Sequence, residues 1–68
     1  MLLNVDIGRE SDGRWIADVL DLPGVLAYGR TPDQARARVQ ALALRVVADR
    51  LEHDEAPPDW LTITFSAV

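Results

Sequence analysis

The sequence predicts an α+β fold, β-β-β-α-β, with one helix packed on a four-stranded mixed sheet. Three observations predict it. Residues 1–9 and 60–68 alternate apolar and polar side chains with the period of two that marks a half-buried strand. Two turns, Ser11-Asp12-Gly13 and Asp21-Leu22-Pro23-Gly24, cut the intervening chain into short extended runs. A complete helix start at Thr31 opens the only segment long enough for a helix of several turns.

Each element follows from its residues. In the first strand Leu3, Val5 and Ile7 alternate with Asn4, Asp6 and Gly8. Ser11-Asp12-Gly13 closes a hairpin, and residues 14–20 return. Asp18 does not belong in a core, so Trp15, Ala17 and Val19 are expected to point inward, with Ile16, Asp18 and Leu20 outward. Pro23 presets one turn dihedral and Gly24 supplies positive φ, which leads into a third strand at Val25-Leu26-Ala27-Tyr28. Thr31 then offers an N-cap hydroxyl, Pro32 fits the first helical position, Asp33 complements the helix dipole and Gln34 can reach back as in a capping box.

The helix spans about Pro32 to Glu52. Ala35, Val39, Leu42 and Val46 form a stripe for the sheet, and Ala37, Ala41, Leu44, Ala48 and Leu51 form a second apolar stripe. A polar, proline-bearing connector over residues 53–59 precedes a last strand, with Leu61, Ile63, Phe65 and Ala67 on one face and Trp60, Thr62, Thr64 and Ser66 on the other. A helical crossover returns this strand parallel to the first, giving sheet order 3-2-1-4. One helix covers one face, so Leu2, Ile16, Leu20 and Trp60 are left on a bare face, a surface suited to association.

Sixty-eight residues make a single domain, too small for an ample core without staples or self-association. The chain has no cysteine, which favours a reducing cytoplasm, and no apolar run or basic leader suggests a membrane span or secretion. The net charge is −4. Residues 31–52 carry a net +1 and the remainder a net −5, so the acidity sits in the strands and loops. Such a surface suits a basic partner and repels phosphate, which argues against direct nucleic-acid binding.

Catalysis is poorly supplied. The chain has one histidine, two serines and neither GxGxxG nor GxxxxGK[ST]. His53, at the helix end, is expected to partner the terminal carbonyls. The order of elements resembles the front half of the ribonuclease H fold, whose nuclease members hold two metals with carboxylates on the first strand, the helix and the fourth strand. Asp6 would match the first, but the last strand offers only Thr62 and Thr64, and a two-metal site needs several converging carboxylates. No catalytic residue, cofactor site or metal site is expected.

Asp12-Gly13-Arg14-Trp15, Asp21-Leu22-Pro23-Gly24, Gly29, Thr31, Gln34 and Ala35 together resemble the HicB family of antitoxins, whose pattern runs D-G-aromatic, P-D-L-P-G, a strand, then G-x-T-x-x-E-A and an amphipathic helix. Leu20 stands where many members have proline, and Gln34 where most have glutamate. The resemblance implies a non-catalytic antitoxin domain that blocks a small basic messenger-RNA-cleaving toxin of the HicA type. Full-length members carry a C-terminal DNA-binding segment, and the expectation here is a short form without one. Partner-binding residues are expected at Ile16, Asp18, Leu20, Asp21, Tyr28 and Trp60. Self-association, as a homodimer or homotetramer, is expected through Ala37, Ala41, Leu44, Ala48 and Leu51. The alternative is an orphan homo-oligomeric module with no toxin.

Overall fold

The computed structural model describes residues 1–55 and 62–68. Its elements are β1 (Leu2–Arg9), β2 (Trp15–Val19), β3 (Leu26–Gly29), α1 (Pro32–Glu52) and β4 (Thr64–Ala67). The sheet order is β3-β2-β1-β4, with β1–β2 and β2–β3 antiparallel and β1–β4 parallel. Helix and sheet thus form two layers, as the strand pattern and the single helix start predict.

Local chemistry sets each junction. Between β1 and β2, Gly13 takes φ 92° and its amide donates to the Glu10 carbonyl at 3.0 Å. The Asp12 carboxylate accepts from the Arg14 amide at 3.0 Å and from Arg14 Nε at 2.7 Å, an Asx turn reinforced by an ion pair. That amide bond, ahead of the contact with the Arg14 guanidinium, holds the Asp12 carboxyl below its ordinary value. Between β2 and β3, the Val25 amide donates to the Leu22 carbonyl at 3.0 Å around Pro23 and Gly24, the latter at φ 82°. Proline followed by positive-φ glycine is the chemistry of a type II turn. The turn tucks Leu22 and Val25 into the core, so β3 begins at Leu26 rather than at Val25.

Helix α1 starts as its sequence requires. Thr31 Oγ1 accepts from the Gln34 amide at 3.0 Å with Pro32 in the first turn. Gln34 Oε1 accepts from the Arg30 amide at 2.7 Å, one residue earlier than in a standard capping box. At the other end the Asp54 amide donates to Leu51 and the Glu55 amide to Arg50, with Asp54 at φ 56°. This is a Schellman closure with aspartate in the left-handed position usually held by glycine. His53 Nδ1 lies 2.8 Å from the Asp49 carbonyl, a contact that is favourable when Nδ1 carries the proton.

The core lies between α1 and the sheet and joins Leu3, Val5, Ala17, Val19, Leu22 and Val25 to Ala35, Val39, Ala43 and Val47. The fully buried helical stripe therefore runs every fourth residue and adds Ala43 and Val47 to the expected Ala35 and Val39, while Leu42 and Val46 are half-buried and pack against it. An every-fourth row drifts around a helix that has 3.6 residues per turn. Successive buried residues therefore shift from one side of α1 to the other. Strand β4 spans Thr64–Ala67 within the residue 60–68 alternation, of which residues 60 and 61 lie outside the described residues, and Ile63 and Phe65 pack against the core.

A candidate interaction surface

The sheet face opposite α1 is built by residues two apart on each strand. Pairing places Asp6 opposite Asp18 and Gly8 opposite Ile16 on β1–β2, and Ile16 opposite Tyr28 and Asp18 opposite Leu26 on β2–β3. On the β1–β4 side Leu2 pairs with Thr64 and Asn4 with Ser66. The face is therefore apolar across Ile16, Leu26 and Tyr28, acidic along its middle at Asp6 and Asp18, and polar toward β4. Leu2 and Leu20 are 56% and 54% exposed. No described element covers this face.

Of the residues expected to bind a partner, the structure brings Ile16, Asp18 and Tyr28 together, with Leu20 just beyond the end of β2. Trp60 lies outside the described residues. Asp21 has a structural task as well. Its Oδ2 accepts from the Asn4 backbone amide at 2.6 Å, while the Asn4 carbonyl accepts from the Leu20 amide at 2.9 Å. The carboxylate thus takes the place of a strand carbonyl where β2 has ended. Sequence reasoning missed this bond. Alternation along the first strand had already set Asn4 and Asp6 on the outward side, but they and Leu26 were not among the expected partner-binding residues, because their place beside Asp18 follows only from the strand register.

The electrostatics divide the surface. Asp6 and Asp18 face each other across the strands, and among the described residues neither forms an ion pair, whereas Asp12 pairs with Arg14 and Asp33 with Arg36. Like charges directly opposite on a sheet oppose its pairing. At the hairpin end Arg14 lies over the Tyr28 ring, its Cζ 4.4 Å from the centroid, so one ring face is already stacked. Arg38 of α1 donates to the Tyr28 carbonyl at 3.0 Å and shields part of the β3 edge.

The outer side of α1 presents a second surface. Ala37, Ala41, Leu44, Ala48 and Leu51 are all exposed, Leu44 by 47% and Leu51 by 37%. Among the described residues no group of three or more His, Cys, Asp or Glu is placed to hold a metal ion, and no helix is long and apolar enough to cross a membrane. Comparison with known proteins finds no matching family model, no matching curated protein and no matching solved structure.

Proposed function

We propose that this chain is a HicB-like antitoxin domain that works in the cytoplasm, without catalysis or cofactor, by binding and neutralising a small basic RNA-cleaving toxin of the HicA type. The observation that carries the reading is the Asp6–Asp18 pair on a partly apolar sheet face that no described element covers. An interface needs desolvated apolar contact for affinity and complementary charge for partner choice. Ile16, Leu20, Leu26 and Tyr28 supply the first, and the two carboxylates supply the second. A cationic side chain set between Asp6 and Asp18 would relieve their mutual repulsion, so bound and free states differ most where the face is most acidic. The D-L-P-G and G-x-T-x-x-Q-A segments that carry the family resemblance build the turn and helix start that hold this face in place.

The test is co-expression with the product of an adjacent gene for a basic protein of similar size. A complex on gel filtration that is lost in the D6N/D18N double variant is the expected result. No complex, or one indifferent to both carboxylates, would overturn the reading. A homo-oligomeric module with no toxin is the second reading, favoured by the exposed leucines on α1.

A further inference from the structure

The exposed residues Ala37, Ala41, Leu44, Ala48 and Leu51 are spaced four, three, four and three apart. That is the spacing of a two-stranded coiled-coil seam, with Ala37, Leu44 and Leu51 at one kind of position and Ala41 and Ala48 at the other. It differs in kind from the buried side of α1, where the every-fourth row Ala35, Val39, Ala43 and Val47 packs on the sheet. A surface helix in a domain with one core needs a single apolar stripe, and here the second one is regular, contains two exposed leucines and lies opposite to the open sheet face.

We propose that the occupant of this seam is a second copy of the chain, with the two α1 helices antiparallel about a two-fold axis. This inference concerns the self-association in the reading above and does not depend on a toxin.

Charge chooses the orientation. Residues 33–41 of α1 carry Asp33, Arg36 and Arg38, a net +1, whereas residues 45–55 carry Arg45 and Arg50 against Asp49, Glu52, Asp54 and Glu55, a net −2. A parallel pair would set the acidic ends side by side. An antiparallel pair lays each basic half along an acidic half, and the two helix dipoles also oppose. Size chooses the register. Aligning Leu44 with Ala48 of the second copy, and Leu51 with Ala41, puts every leucine against an alanine, so that large and small side chains interdigitate. In this register Arg38 comes level with Glu52 of the second copy to within about half a turn. The two Arg45 side chains meet near the axis, each a similar offset from Asp49 of the other helix. The open sheet faces then point away from each other, leaving both free.

The absence of cysteine makes the arrangement testable by engineered disulfides. Sedimentation over a wide concentration range is expected to show a reversible dimer. L44D should weaken it by on the order of 100-fold, since two leucines lose apolar burial per dimer, with the far-UV circular dichroism unchanged because Leu44 is exposed. Under mild oxidation R45C should cross-link, since its two copies differ by about 3 Å along the axis. R38C should not, since its copies lie about 24 Å apart at 1.5 Å per residue. A monomer at all concentrations, a dimer untouched by L44D, failure of R45C to cross-link, or equal cross-linking of both variants as a parallel pair would give, would each overturn the proposal. A dimer that passes these tests but binds no basic partner would sink only the antitoxin reading.

Discussion

Gly29 lies directly beneath Ala35. A Cβ built on Gly29 would fall 2.5 Å from the Ala35 amide nitrogen and 3.0 Å from its Cα. Both groups are backbone in the first turn of α1, so neither can move without shifting the helix. Gly29→Ala is therefore expected to destabilise the domain by ~2–3 kcal/mol, at the upper end for overpacking. Since 1 kcal/mol moves the midpoint of a domain this small by about 4–8 °C, thermal unfolding followed by circular dichroism is the check. A loss below half the lower figure would mean that the helix start yields.

That contact explains what the sequence made readable. Thr31 and Gln34 announce the helix through hydrogen bonds made within four residues and Pro32 through its fixed φ, and such local chemistry survives translation into a one-dimensional string. The alternation of β1 and β2 was legible for the same reason. The choice of Ala43 and Val47 over Leu42 and Val46 was not, because it depends on the angle at which α1 crosses the strands. Asp21 looked like a free surface charge because its partner, the Asn4 amide, lies seventeen residues away. The Asp6–Asp18 pairing was likewise hidden until the hairpin register was known.

The dual position of Asp21 leads to a separable prediction. Asp21→Ala should cost about 0.5–1.5 kcal/mol, because an exposed charge-assisted bond to the Asn4 amide at the strand end is lost and only water replaces it. Asp21→Asn keeps an acceptor and should cost clearly less. Chemical denaturation of the two variants checks the order, and equal losses would show that the carboxylate is not replacing a strand carbonyl.

The closure of α1 can be improved. Asp54 holds φ 56°, and it places negative charge at the negative end of the helix dipole. Asp54→Gly removes both penalties and is expected to stabilise the domain by ~1 kcal/mol. Urea unfolding should show a higher midpoint with an unchanged slope.

The hairpin carries a pH signature. The Arg14 amide and guanidinium lower the Asp12 carboxyl, so the folded state binds this proton less readily than the unfolded chain does. The resulting stabilisation is fully present above the ordinary aspartate range and is lost as pH falls through the lowered folded value. Stability curves of the native chain and of Asp12→Ala should therefore run apart at neutral pH and converge in acid. A gap that persists unchanged in strong acid would assign the effect to turn geometry alone.

Asp6 and Asp18 should show the cost of keeping a surface ready for a partner. Facing carboxylates on neighbouring strands oppose pairing, so Asp18→Asn should stabilise the free domain by ~0.5 kcal/mol. Added salt should shrink that difference, because the repulsion is between solvent-facing charges. In the proposed complex the same substitution should act in the opposite direction, slowing association and lowering affinity about tenfold as one of two charges on the face is lost. Parallel measurement of unfolding midpoint and toxin affinity separates the two effects. If Asp18→Asn weakened the free domain and the complex alike, the carboxylate would be part of the sheet's framework, and the pair would have no claim to recognition.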